Sequence, residues 1–554
     1  MFRNPKFYFL LILIIASFLR LYNLKNVPPG LYPDEAMNGN NALEALSTHH
    51  FKVFYPENNG REGLFINIQA IFLWLFKVTE PWVLRLPSAI FGILTVLGVY
   101  FLTKELFREK NSKPETLNSK QTQNPNSQNS KNFRISNLEF RISRSQKIAL
   151  LSSFFLATSF WHINFSRIGF RAIMAPFFLV WVLYFLLLTF RMSAGNRPIN
   201  KPVGKIVLFS ILAGIFYGFG FYSYIAYRVT PLLILIILIY FFVRSVKEKW
   251  QRLFLLSTFY FLLFTIIVVL PLGIYFLKNP SDFFGRTTQI SIFNSLTPIK
   301  DLGASILKTL GMFNFVGDFN WRHNYAGKPE LFWPVGILFA IGIMLGLYSV
   351  FRKDNVKAQI SNQIQSSNVK SFEFWILFIW LIITSLPVII SNEGLPHALR
   401  AILMAPPVFI LAGFSAVWLY DKLTNLRIFT NVQKRSFLLA IGYWLLALLI
   451  IEAYTTYFIL WAKNPNVADA FNQNLVRIGR ELKATCGDGC EKLPKYVIVY
   501  ASGVDVRGMP MPAQTVMFLT DTFTPEKQNA KNLHYVLPNQ KDQIPQNALV
   551  VELK

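Results

Sequence analysis

The chain has 554 residues, of which 53% are hydrophobic and only 15% charged, with a mean hydropathy of +0.38. A soluble domain averages about 25% charged residues, so this composition excludes an ordinary soluble protein and makes the membrane the main solvent. The formal charge of +26 is divided among clusters lying between apolar runs, with no single patch, which argues against nucleic acid as a partner.

From the amino terminus, Arg3 and Lys6 precede an apolar run at residues 7–21. The flanks resemble a secretory signal, but no small-residue cleavage site follows, and the run reads as a retained first helix. Residues 64–78 are apolar yet span only about 15 positions, against the roughly 20 needed to cross a bilayer. Loop charge decides their place: if they crossed, the basic stretch 104–147 would share a side with the acidic first loop, reversing the positive-inside pattern. They read as juxtamembrane. With runs at 7–22, 86–103, 148–162, 172–190, 206–223, 229–243, 253–277, 331–351, 374–390, 401–420 and 437–460, the expectation is about eleven spans.

The basic clusters at 104–147, 191–205, 244–252, 352–370 and 422–435 then face the cytoplasm with the amino terminus, and residues 25–85, 162–171, 278–330, 391–400 and the chain beyond 461 face outward. Residues 111–132, rich in Asn, Ser, Gln and Lys, read as a disordered cytoplasmic linker. After the last span, Val467, Phe471, Leu475, Ile478 and Leu482 have helical spacing, and 496–501 and 548–553 are strand-like. The expected architecture is therefore an all-α polytopic membrane domain over 1–462, with juxtamembrane helices in its first outer loop, followed by a small extracytoplasmic α/β domain over 463–554. Cys486 and Cys490 lack the nearby histidines of a structural zinc site and leave a small disulfide loop open.

Function is expected where polar groups meet the lipid boundary, and the outward segments hold them. In LYPDEAMNGN (31–40), Asp34 and Glu35 adjoin each other behind Pro28, Pro29 and Pro33, which stiffen the approach. Asp34 could deprotonate an acceptor hydroxyl, or simply cap a helix over 36–46. ENNGREGLF (57–65) carries Arg61 and Glu62, a functional pair or a solvated turn. In NFSRIGFRAIMAP (164–176), Arg167 and Arg171 stand four apart, on one face of a helix and on the side of the membrane where arginine is scarce. Such a pair suits a lipid phosphate; snorkelling to headgroups is the plainer alternative. YSYIAYRVTP (222–231) sets Tyr224 and Arg228 at the same interface, as ligand contacts or as an aromatic belt.

GDFNWRHNYAGKP (317–329) is dense in Asp318, Asn320, Trp321, Arg322 and His323, types that stack on sugar faces or bind hydroxyls and phosphate. LPHALRA (395–401) places His397 and Arg400 three apart at a helix start, where an interfacial pair is the plainer reading. Neither histidine segment shows the H-x-x-x-H or E-x-x-H spacing of a zinc enzyme.

Taken together, the Asp34-Glu35 pair in the first outer loop, the G-R-E turn at 60–62, R-L-P-S at 85–88 and the many spans resemble the GT-C glycosyltransferases. The likeness is to the bacterial branch of the protein O-mannosyltransferase and lipid A aminoarabinose transferase type, whose motifs GDFNWRHN, SRIGFR and LPHALRA also resemble; it covers the membrane portion, the tail only loosely. The resemblance implies an inverting enzyme in the cytoplasmic membrane, a polyprenyl-phosphate sugar donor, and a lipid, glycan or protein acceptor on the outer face. By motif position it implies Asp34 as base, with Glu35 supporting it. The outward placement of Arg167, Arg171, Arg228 and Arg400 makes them the candidate ligands of the donor phosphate. Some members hold a divalent metal near the first-loop acid and others need none, so a metal beside Asp34 stays open. Arg61 and Glu62 stand where many members carry His-Pro-Pro or Lys-Pro-Pro. The competing reading is a flippase or transporter of lipid-linked sugars, which favours ionisable residues and broken helices within the bilayer. Few charges here lie mid-span.

Overall fold

The computed structural model describes residues 4–108, 142–194, 202–289, 292, 295–351, 371–391, 394–425, 432–484 and 493–554. The linker expected at 111–132, the basic cluster at 352–370, and Cys486 and Cys490 lie outside these.

Helix α1 (Pro5–Leu21) starts behind Asn4, whose side chain accepts from the Lys6 N–H. The first loop, between α1 and α4 (Pro81–Leu106), holds α2 (Pro33–Thr48), the short strands β1 (Phe54–Tyr55) and β2 (Arg61–Glu62), and α3 (Gly63–Phe76). Then follow α5 (Arg144–Thr158), α6 (Phe160–Phe165), α7 (Met174–Ala194), α8 (Val203–Gly220), α9 (Thr230–Lys247), α10 (Gln251–Lys278), α11 (Pro280–Gln289) and α12 (Pro298–Gly311). The membrane domain closes with α13 (Trp333–Phe351), α14 (Ser371–Ile389), α15 (Ala405–Thr424) and α16 (Val432–Tyr454), which continues as π-helical turns to Trp461.

Among the described residues, nine helices are long and apolar enough to cross a bilayer: α4, α7 to α10 and α13 to α16, some with a flanking 3₁₀ turn. The two other expected spans are shorter. α1 has 17 residues, and the stretch at 148–162 breaks at Ser159, whose extended backbone separates α5 from α6. The chain is a multi-pass membrane protein. Large apolar side chains such as Leu235 and Ile239 on α9, Ile266 and Ile267 on α10 and Trp444 on α16 point outward, as hydrocarbon surroundings permit. α7 and α15 sit at the centre, packed on α4, α8, α5 and α13. α3 has 14 residues, so it reaches only about 21 Å. It buries Ile66, Ala70 and Leu73 while Ile71, Trp74 and Leu75 stay exposed, the one-sided pattern of a juxtamembrane helix.

Beyond Trp461 the chain forms α17 (Pro465–Ala470), α18 (Gln473–Ala484), β3 (Lys495–Val499), β4 (Asp505–Val506), β5 (Met509–Pro510), α19 (Ala513–Thr520), α20 (Pro525–Lys531), β6 (Leu533–Val536) and β7 (Leu549–Leu553). β6, β3 and β7 make a parallel sheet in that order, with Val497 opposite Tyr535 and Val551. β3 and β7 match the expected strands; β6, only four residues long, is too short to announce itself in the sequence.

This domain packs on the first loop. Met37 of α2 shares a core with Leu475 and Val516, Asn40 Nδ2 donates to Gln514 O and Oε1 at 3.1 and 3.0 Å, and Thr515 Oγ1 donates to Leu31 O at 3.1 Å. Arg507 forks onto Glu44 at 2.8 and 2.9 Å and reaches Glu57 at 2.7 Å. Burial works against ionising Glu57, but the Arg507 bonds prevail and hold its carboxyl below the ordinary range. A depressed carboxyl stabilises above its unfolded pKa and loses that contribution as pH falls through the folded value. Arg507→Ala is therefore expected to weaken the latch at neutral pH, by no more than about 1 kcal/mol because the pairs are partly exposed. Amide exchange over 505–520 should rise in the variant at pH 7 and match wild type in acid.

Candidate active site

Asp34 sits in the first turn of α2. The capping position belongs to Tyr32, with Pro33 at the first helical position, so Asp34 does not cap α2 as one reading of the sequence held. Its half-buried carboxylate accepts instead from Asn58 Nδ2 at 2.7 Å and benefits from the helix N-terminus. Asn58 comes from the β1–β2 turn, where Asn58, Asn59 and Gly60 all have positive φ (52°, 62° and 78°). A side chain at Gly60 would meet the Phe54 ring at 2.5 Å. This sharp turn was legible; that it is a polar, tightly packed element and not a solvated one was not.

The other first-loop carboxylates behave differently. Of the six acidic residues between 25 and 85, five are bound to arginine: Glu35 to Arg85, Glu44 and Glu57 to Arg507, Glu62 to Arg171 and Arg228, and Glu80 to Arg480. Among the described residues, Asp34 alone of these makes no ion pair and takes a neutral amide. Glu35 is fully buried, accepting from Arg85 Nε at 2.8 Å and Gly169 N at 3.1 Å. Arg85 also donates to Pro28 O and Gly30 O, each at 2.7 Å, so it fixes the chain entering α2. Glu35 is thus fixed by Arg85, a partner the sequence did not announce because 50 positions separate the two.

Glu62 gathers two cations. Arg171 Nε lies 2.9 Å from Glu62 Oε2 and Arg228 Nη2 3.4 Å from Oε1, with 14% and 19% of the two arginine side chains exposed. The Arg228 guanidinium also stacks 4.4 Å from the Phe283 ring. Arg61 is buried and saturated, donating to Asn38 Oδ1 at 2.7 Å and Asn41 Oδ1 at 2.5 Å. Burial first, and then the Arg171 charge, pushes its guanidinium down to about 10, against the pull of Asp34 and Glu57. Arg61, Arg171, Arg228, Glu62 and Asp34 therefore form one charged neighbourhood.

Several expected ligands lie elsewhere. The segment after α6 turns at 166–170 and does not continue as a helix, so Arg167 and Arg171 share no helical face. Arg167 is fully buried, donates to Leu19 O and Val27 O at 3.2 and 2.7 Å, and lies over the Phe458 ring. It has no surface to offer a phosphate. Tyr224 is packed in the main core and is not part of an aromatic belt. His397 and Arg400 precede the helix, since α15 begins at Ala405; Arg400 donates to Ser391 Oγ.

In the long loop between α12 and α13, Asn320 Oδ1 accepts from the Arg322 N–H and Nε at 3.0 and 3.2 Å, shaping the turn. The Trp321 carbonyl accepts from Trp461 Nε1 at 3.0 Å, and its ring packs at 5.1 Å on Tyr325. Arg322 stacks 4.0 Å from the Tyr32 ring, which joins this loop to the one bearing Asp34. Asp318, His323 and His397 come together, one ligand atom from each lying within 4.8 Å of the others. Among the described residues this is the group able to hold a metal ion, and Asp34 is not in it. Around Asp34 the neighbouring carboxylates are held by arginine and the amides of Asn38 and Asn41 by Arg61, so the donor set there does not fit a metal.

No family model and no curated protein matches the sequence. Solved structures do. The oligosaccharyltransferase of Archaeoglobus fulgidus in its apo form aligns with a TM-score of 0.53 at 14% identity, over 97% of this chain and 65% of its own. The same organism's oligosaccharyltransferase AglB, in complex with an inhibitory peptide and a dolichol-phosphate, gives 0.50 at 15% identity, over 97% and 65%. ArnT from Cupriavidus metallidurans bound to undecaprenyl phosphate gives 0.50 at 13%, over 99% of this chain and 90% of ArnT. The chain thus spans just under two thirds of the archaeal proteins, 65%. What these likenesses show is the fold: this chain shares the polytopic architecture of these oligosaccharyltransferases and of ArnT.

Proposed function

We propose that this protein is a membrane glycosyltransferase that moves a hexosyl or pentosyl group from a polyprenyl-phosphate donor to a hydroxyl of a lipid, glycan or protein. The reaction takes place on the outer face of the cytoplasmic membrane, with the amino terminus inside and the domain over 463–554 outside. The observation that carries this reading is the contrast in the first outer loop: one carboxylate, Asp34, is spared ion pairing beside an arginine group, while its acidic neighbours are all committed. Relatives in fold are recorded with dolichol-phosphate and undecaprenyl phosphate, which supports the donor class.

In the mechanism, the Asp34 carboxylate takes the proton of the acceptor hydroxyl as its oxygen bonds to the anomeric carbon. The bond from that carbon to the phosphate oxygen breaks, its electron pair stays on the phosphate, and the centre inverts. The donor phosphodiester carries one negative charge; the departing phosphate monoester carries about 1.5 to 2. Negative charge therefore grows where Arg171 and Arg228 are accessible and Arg61 adds its field, with one carboxylate, Glu62, among the three cations. The group binds the leaving phosphate better than the donor, and such a difference accelerates the step. No metal is used in this sequence.

The test is transfer by the purified chain in lipid vesicles, given a panel of radiolabelled polyprenyl-phosphate sugars and membrane acceptors. Label appearing in an acceptor is the expected result. Movement of intact donor across the bilayer without transfer would sink the proposal in favour of a flippase. Arg171→Ala and Arg228→Ala should each lower kcat/KM roughly 10- to 100-fold, the worth of about 1.5–3 kcal/mol for a charged hydrogen bond, more through kcat than through KM. Arg167→Lys should alter stability and leave the KM for donor unchanged.

A further inference from the structure

The outer segments at 317–329 and 395–401 meet at a single carboxylate. Asp318 Oδ2 lies 3.1 Å from His323 Nδ1 and 3.8 Å from His397 Nδ1. The two imidazoles stack, with centroids 4.9 Å apart and planes inclined by 28°. The carboxylate is oriented independently of both rings. Its Oδ1 accepts from Asn320 N at 2.8 Å and its Oδ2 from Ala398 N at 2.9 Å, while Asp318 N donates to Glu330 Oε1 at 3.1 Å. Ala398 is itself anchored, its carbonyl accepting from Trp161 Nε1 at 3.0 Å.

His323 Nδ1 lies within hydrogen-bond range of Asp318 Oδ2, and His397 Nδ1 converges on the same oxygen at 3.8 Å from a distant segment. A tetrahedral ion with bonds of about 2.0–2.1 Å keeps its ligands roughly 3.3 Å apart, a spacing that falls between the two observed distances. Two imidazoles and one carboxylate suit a borderline ion of the zinc class, whereas calcium and magnesium favour all-oxygen sets. Three protein ligands leave a fourth position for water or another donor.

We propose that Asp318, His323 and His397 bind one zinc-class divalent cation at a site separate from Asp34. The ion joins the long loop between α12 and α13 to the turn preceding α15. Because Arg322 of that loop stacks on Tyr32, the tie also braces the entry to α2. The spacing rule applied to the sequence could not find this site, since its ligands come from two distant segments.

The full chain, purified without a histidine tag and stripped with EDTA, is dialysed against Co²⁺ as the probe. A single ion per chain, with the intense visible absorption of a low-coordinate site, is expected, and His323→Ala and His397→Ala should each reduce uptake roughly tenfold or more. Equal uptake by wild type and by the two variants overturns the proposal, as does no uptake by wild type. Should either variant fail to fold, EDTA-stripped wild type decides: added Zn²⁺ should raise its unfolding temperature where equimolar Mg²⁺ does not, and no Zn²⁺-specific rise overturns the site.

Discussion

Asp34→Asn is expected to slow sugar transfer by about 10² to 10⁴-fold, the usual contribution of a positioned base. The change preserves shape: the amide oxygen of the new side chain can still accept from Asn58 Nδ2, now 2.7 Å from Asp34 Oδ1. The other first-loop acids cannot take over, because each already holds an arginine. Stability should therefore stay near wild type while turnover falls, and donor binding should survive because the accessible guanidiniums are untouched. Transfer rates, thermal unfolding and binding of the sugar-free polyprenyl phosphate, measured on the same preparation, separate these effects. Full transfer by the variant would remove Asp34 from the chemistry and leave the arginine group as a binding site alone.

Spans were legible because a run of apolar residues states its own solvent, and the length argument kept α3, a helix of 14 residues, out of the set of spans. The first-loop acids were legible as chemistry, but their division of labour was not. Asp34 and Glu35 are neighbours in sequence, yet the helix turns Glu35 into the core against Arg85 and leaves Asp34 half-exposed to Asn58. The outward arginines looked equivalent. Arg167 sits in the turn at 166–168 and is spent on backbone carbonyls, whereas Arg171 emerges beside Glu62. Contacts such as Arg507 with Glu44 and His397 with Asp318 bridge remote segments, and no local spacing encodes them. Periodicity specifies elements; the partners of a buried charge are set by how those elements pack.

That packing yields the second large effect. Glu35→Ala removes the carboxylate that faces Arg85 where both side chains are 0% exposed, and stranding a buried charge costs about 3–5 kcal/mol. The loss should appear as a lowered unfolding temperature, with activity falling because the first turn of α2 that carries Asp34 loses its brace. Glu35→Gln should cost less, since an amide oxygen can still accept from Arg85 Nε or Gly169 N. Replacing both partners with apolar residues, Glu35→Leu with Arg85→Met, should recover part of the loss, because no charge is then left stranded. Recovery should stop short of wild type. Arg85 also serves Pro28 O and Gly30 O, and each carbonyl left unpaired in the interior costs about 1–3 kcal/mol. If the double variant proves as stable as wild type, the two carbonyls find other donors and the pair is dispensable for stability. If it stays stable but inactive, the ion pair is retained for the direction it gives the chain entering α2, and so for the placement of Asp34.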